Sequence, residues 1–184
     1  MSDTTSVADA ILSELQDRFR AGTPTQQRDN LFFVTLPQNE TVAAVTHLKE
    51  IRGFRHLVFF TAVDVIERGL FRLCYMLHSY THNLDVCLQT EIMRDGATMQ
   101  SIHHLWAAAA VYQRELKEMF GIDFPGCPRV DESFALEGWT EMPPMRRDFD
   151  TRAYSEATYY PREGREKHDR KEIMKKALYP EVDL

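Results

Sequence analysis

The chain has 184 residues, 43% hydrophobic and 27% charged, the balance of one globular domain and not of a disordered chain. Its formal charge of −6 argues against a general affinity for phosphate backbones, so nucleic acid is not the expected partner. The longest apolar run, Leu105 to Tyr112, falls well short of the roughly 18–20 residues of a membrane span, and the N-terminus lacks a secretory pattern, so a cytoplasmic location is expected.

In chain order, Val7, Ile11, Leu12, Leu15 and Phe19 fall at helical spacing and predict an amphipathic helix over residues 5–20, closed by Gly22 and Pro24. Leu31 to Leu36 is a short run of strand formers. Val42, Val45, Leu48 and Ile51 predict a second helix from Thr41 to Arg52, stopped at Gly53. Strands follow at Leu57–Val63, Leu70–Leu77 and Leu84–Ile92. The last is the clearest, with Leu84, Val86, Leu88 and Ile92 on one face and Asp85, Cys87, Gln89 and Glu91 on the other. The connectors 64–69 and 78–83 are too short for crossover helices, so these three strands form an antiparallel meander. A third helix is expected from Ile102 to Phe120, with Leu105, Ala109, Tyr112, Leu116, Met119 and Phe120 on one stripe and Gly121 at its end. The expected fold class is α+β: a mainly antiparallel four-stranded sheet, covered on one face by about three helices, in a domain spanning residues 1–121.

After Gly121 the character changes. Five of the eight prolines lie between Pro125 and Pro161, interleaved with Phe124, Phe134, Trp139, Phe149, Tyr154, Tyr159 and Tyr160. Proline holds such a segment extended and lowers the entropy lost on docking, while each ring buries roughly 150–250 Å² where it lands. Residues 122–184 therefore read as a long extended docking tail, ending in a charged helix over 164–178 with Glu166–Arg170 and Glu172–Lys176 as i, i+4 pairs.

Groups able to do chemistry are sparse. Cys74, Cys87 and Cys127 are far apart and form no Cys-x-x-Cys pair, so no iron–sulfur ligand set is expected. The glycines never cluster into a phosphate loop. Ser133, Ser155 and Cys127 lack the setting of an activated nucleophile. A metal reading is confined to His78 with His82, in an expected hairpin loop, and to the adjacent His103 and His104, which point apart. No cofactor, metal or catalytic residue is assigned.

Two segments carry a resemblance. Gln113-Arg114-Glu115-Leu116-Lys117-Glu118-Met119-Phe120-Gly121-Ile122-Asp123-Phe124 resembles the Glu-Arg-Glu-x-x-Asp-Met-Phe-Gly-Ile-x-Phe segment of the 30 kDa subunit of respiratory complex I. Pro143-Pro144-Met145-Arg146-Arg147-Asp148-Phe149 is similar to that family's Pro-Leu-Arg-Lys-Asp-Phe segment, with Trp139 where the family usually has a tryptophan. The likeness covers roughly residues 30 to 150. Gln113 replaces the family's first glutamate, Cys127 a histidine or lysine, and Asp131 an arginine. The resemblance implies a non-catalytic, cofactor-free structural subunit of the peripheral arm of an NADH-quinone oxidoreductase. It would pack against the large hydrogenase-like subunit and neighbouring iron–sulfur subunits, at the inner face of the cell membrane, without spanning it. Related subunits of energy-converting hydrogenases and formate hydrogenlyase complexes share the pattern. A partner interface is then expected at Arg114, Glu115, Phe120, Phe124, Trp139, Pro144, Arg146, Arg147, Asp148 and Phe149. Set against this are a stand-alone protein-binding module and a small enzyme with a cryptic histidine metal site.

Overall fold

A computed structural model describes the backbone of residues 2–158 and the side chains of residues 7–158; the helix expected over 164–178 lies outside them. The chain divides into two compact units, Met1–Phe149 and Asp150–Leu184.

The first unit is built on helix α1 (Ser2–Phe19), strands β1 (Thr25–Arg28) and β2 (Leu31–Thr35), helix α2 (Gln38–Glu50), strands β3 (His56–Val65), β4 (Leu70–Ser79) and β5 (Leu84–Met93), and helix α3 (Ala108–Phe120). The sheet runs β1-β2-β5-β4-β3. The expected antiparallel meander is present as β3-β4-β5. The four-stranded expectation is corrected in two ways. Thr25–Arg28 adds a fifth strand antiparallel to β2, and β2 lies parallel to β5 so that the sheet is mixed. β1 is exposed at all four residues, so no apolar alternation marks Thr-Gln-Gln-Arg as a strand. The parallel pairing arises because α2 acts as a crossover between β2 and the meander, returning the chain to the side where Leu31–Thr35 meets Asp85–Gln89.

One apolar core lies between the sheet and the helices. Ile11 and Leu15 of α1, Ala44, Val45 and Leu48 of α2, and Leu116 of α3 meet Phe60, Phe71, Leu73, Tyr75, Leu77, Val86, Leu88 and Ile92 of the sheet. Phe60 stacks on Tyr75 at 4.3 Å between ring centroids and takes Phe124 edge-on at 5.7 Å. Ile122 and Phe124 are fully buried and Cys127 nearly so, so the chain beyond α3 begins inside this core.

The third helix starts six residues later than its apolar spacing suggests. Lys49 donates its ammonium to the Leu105 carbonyl at 2.7 Å and Trp106 Nε1 donates to the Arg55 carbonyl at 2.8 Å. These long-range bonds hold residues 102–107 out of the helix, with turns at 103–105 and 107, an override of local periodicity by tertiary contact. At its other end Gly121 takes a left-handed φ of 77°, the ordinary way to stop a helix.

In the second unit, helix α4 (Thr151–Thr158) is started by Asp150, whose Oδ1 accepts the N–H groups of Arg152 at 3.0 Å and Ala153 at 2.9 Å. No helix among the described residues is long and apolar enough to cross a membrane.

Candidate functional site

The two motif segments come together on one side of the first unit, where residues 129–149 wrap the last turns of α3. Arg114, Lys117 and Glu118 lie three or four positions apart and share a face of α3. Arg114 donates Nη2–H to the Ser133 carbonyl at 2.6 Å and Nε–H to that of Glu132 at 3.4 Å. Glu118 accepts three backbone N–H groups, from Phe134 at 2.7 Å, Ala135 at 2.8 Å and Leu136 at 3.0 Å, so one carboxylate fixes a whole turn of loop. Lys117 bridges Asp123, at 2.8 Å, and Asp131. The hydrogen bonds to Asp123 and then to Asp131 raise its ammonium pKa.

The second segment is a strap. Met145 donates its N–H to the Met119 carbonyl at 3.0 Å, and Arg146 donates Nε–H to the Phe120 carbonyl at 2.7 Å, satisfying two acceptors that the end of α3 leaves open. The Arg146 guanidinium lies 5.5 Å from the Phe71 ring centroid. A Cβ at Gly121 would stand 2.9 Å from Arg146 Nη2 and 3.2 Å from Pro143 Cγ, so glycine is needed there for the strap's close approach as well as for its φ.

Asp64 anchors the strap from below. Its side chain is 1% exposed and accepts from Arg94 Nε at 3.1 Å and Nη2 at 3.2 Å, and from the Arg147 backbone N–H at 2.9 Å. Arg94 also donates to Asp148, which lowers the Asp148 pKa, and the bonds to Asp148 and Asp64 raise that of Arg94. Arg147 reaches Glu67 with its guanidinium.

Most charged groups of both motifs are thus engaged within the chain, and among the exposed polar residues of this segment three large apolar side chains also face outward. Phe134, Met142 and Met145 are exposed at 39%, 43% and 55%. Trp139 lies beside them, half-buried, donating Nε1–H to the Met142 carbonyl at 3.1 Å with its ring 5.7 Å from that of Phe149. A cavity of about 280 Å³ opens between α3 and this loop, lined by Arg114, Glu118, Leu136 and Trp139 among others.

Of the residues singled out in the sequence, Arg114, Arg146, Arg147, Asp148, Trp139 and Phe149 belong to this assembly, and Pro144 lies half-buried in the strap. Glu115 is half-buried on α3, while Phe120 and Phe124 lie in the core. Sequence reasoning gave Glu118 no role beyond the charged patch it forms with Arg114, Glu115 and Lys117 on the third helix, and it missed Asp64 and Arg94. The first was legible as the residue one turn beyond Arg114; the other two sit 30 residues apart and 54 or more from the strap residues they bond, with no local signal.

The remaining polar groups do not converge. Gln113 is fully buried and takes the Ser101 hydroxyl proton on Oε1 at 2.7 Å. Ser101 has one proton to give, so His103 Nδ1, 2.9 Å away, is the donor to Ser101 Oγ. The neutral amide at 113 meets a hydroxyl where a buried carboxylate would lack a counter-charge. Cys127 is buried, and burial pushes its thiol pKa up. Ser133 is exposed and Ser155 lies on α4. His78 stands within β4 and not in a hairpin loop, with Nδ1 2.8 Å from Asp85 Oδ1. Among the described residues no three His, Cys, Asp or Glu side chains gather as a metal ion would require.

Comparison with known proteins bears on the family and the fold. Residues 34–155, which include all three strands of the meander and both motif segments, match the family described as respiratory-chain NADH dehydrogenase, 30 Kd subunit. The chain is 31% identical over 116 residues to the C subunit of the NADH-quinone oxidoreductase of Moorella thermoacetica, covering 63% of this chain and 78% of that one. It is 30% identical over 158 residues to the C/D subunit of the Acidiphilium cryptum enzyme, covering 80% of this chain but 26% of that much longer protein. A chain in the structure of the membrane-bound sulfane sulfur reductase, an archaeal respiratory membrane complex, superposes with a TM-score of 0.78. The two share 24% identity, over 89% of this chain and 96% of that one, which shows a common fold.

Proposed function

The chain belongs to the respiratory-chain NADH dehydrogenase 30 kDa subunit family, and from that premise we propose that it is a non-catalytic structural subunit in the peripheral arm of a complex I-like NADH-quinone oxidoreductase. Its role is to scaffold the large hydrogenase-like, quinone-proximal subunit beside the iron–sulfur subunits during electron transfer coupled to ion translocation, on the inner face of the cell membrane. One observation carries this reading. The motif residues Arg114, Glu118, Arg146 and Asp148 use their hydrogen bonds to fix residues 129–149, and the surface so fixed presents Phe134, Met142 and Met145 outward. Held rigid before binding, such a surface loses little entropy on association. Apolar side chains ringed by polar ones are the composition of a protein interface, with Trp139, Pro144 and Phe149 completing the patch and Glu115 and Arg147 at its rim. The C/D relative supports a permanent partner, because this chain answers to 26% of its length and the rest travels on the same polypeptide.

Purification from native membranes through a tag on this chain tests the reading. The triple variant Phe134→Ser, Met142→Ser, Met145→Ser is expected to keep the wild-type melting temperature and to recover at least about tenfold less of the large subunit. Equal recovery overturns the proposal.

A further inference from the structure

We propose that the free edge of β3 is a second docking site, which takes an extended segment of a partner subunit as a sixth strand of the sheet. β3 is the outermost strand, ten residues long, and among the described residues pairs only with β4. Proteins blunt such an edge with lysine, proline, shortness or inward-turned charge, because its unpaired N–H and C=O groups otherwise recruit another strand. His-Leu-Val-Phe-Phe-Thr-Ala-Val-Asp-Val has no lysine and no proline. Two protective devices are present but sit toward its ends, the irregularity at Leu57–Phe59 and the inward-turned Asp64 engaged by Arg94, and the run Phe59–Val63 between them carries none.

The same edge is where exposed apolar side chains collect. Ten large hydrophobic side chains are exposed among the described residues, and Val58, Phe59 and Val63 of β3 are three of them, at 39%, 36% and 49%. A fourth, Val111 at 48%, stands on α3 next to Tyr112, whose hydroxyl donates to the Val58 carbonyl at 3.4 Å. That bond takes up the Val58 carbonyl, so the open part of the edge begins at Phe59. The strap does not cover this stretch: its contacts reach Asp64 and Glu67, beyond Val63.

Charge defines the occupant. No charged side chain stands between His56 and Val63, whereas Arg55 is exposed at the strand's start and Glu67 is matched by Arg147 past its end. The complementary segment is extended, apolar at alternate positions, uncharged through its middle, and acidic where it passes Arg55. Main-chain bonds supply affinity in such an addition, and pockets for alternate side chains supply specificity.

The proposal rests on the subunit reading, and hydrogen exchange separates the two. Among residues 58–63, the amides that exchange rapidly in the isolated chain are expected to slow at least about tenfold in the complex purified through this chain. Val58→Pro and Val63→Lys, each with unchanged melting temperature, are expected to abolish that protection, while Tyr80→Ser on the β4–β5 hairpin leaves it intact. A complex that assembles with these amides exchanging as in the free chain overturns the edge proposal alone. A chain that purifies without neighbours overturns both readings. Isolated chain that sediments as a dimer with these amides protected assigns the edge to a second copy, and overturns the proposal of a partner strand.

Discussion

Replacing Asp64 by Asn tests whether the strap is locked from beneath. The Asp64 side chain is 1% exposed and accepts three hydrogen bonds, two from Arg94 and one from the Arg147 backbone. An amide keeps the shape but turns one acceptor into a donor facing N–H groups and removes the charge opposite a half-hidden guanidinium. Breaking a buried pair on one side costs about 3–5 kcal/mol. Arg94 is 14% exposed and retains Asp148, so the lower end, about 3 kcal/mol, applies here. In a chain of this size that lowers the melting temperature by about 6–12 °C. Urea denaturation measures the loss, and exchange at the Arg147 amide shows whether the strap has lifted. Glu67→Gln, at a pair exposed on both sides, is the control and leaves the melting temperature in place. An Asp64→Asn loss below about 1 kcal/mol, or one matched by the control, refutes the reasoning.

Three further outcomes are expected. Glu14 receives hydrogen bonds from Arg52, His47 and Arg18 that together outweigh burial and hold its pKa at about 2 against an ordinary 4.5, so the ionised form stabilises the fold above pH 4.5 and this contribution fades as pH falls toward 2. The stability gap between wild type and Glu14→Gln should therefore be full at about pH 6 and narrow steadily below pH 4.5; a gap independent of pH contradicts it. Among the described residues the buried Tyr75 hydroxyl has no hydrogen-bond partner, so Tyr75→Phe, which keeps the ring stacked on Phe60, should raise stability by about 1 kcal/mol in urea titration, and a loss of that size refutes it. Gly121→Ala forces a side chain into a left-handed φ and pushes on Arg146 and Pro143; a loss of about 1–2 kcal/mol is expected, and none at all sinks the close-approach argument.

What was legible in the sequence followed periodicity. The meander announced itself through strands such as Leu84–Met93, which alternates between buried and half-buried residues except at Cys87, buried on the face expected to be the more open one, and α2 and the end of α3 through apolar spacing with glycine stops. Exposure hid β1, and long-range bonds to Lys49 and Arg55 displaced the start of α3. Motif resemblance located Arg114, Arg146 and Arg147, yet their partners Ser133, Phe120 and Asp64 come from three different parts of the chain, and pairing across such distances leaves no local pattern. The proline and aromatic content of residues 122–149 signalled burial of rings without saying where: Phe124 went into the core, while Phe134 stayed outside.

The most direct test of the account is the mass of the assembly recovered when this chain is tagged and extracted gently from its native membranes. The expected result is a stoichiometric complex holding a large hydrogenase-like subunit and iron–sulfur subunits. Recovery of the 21.4 kDa chain alone, with those subunits assembled elsewhere, contradicts it.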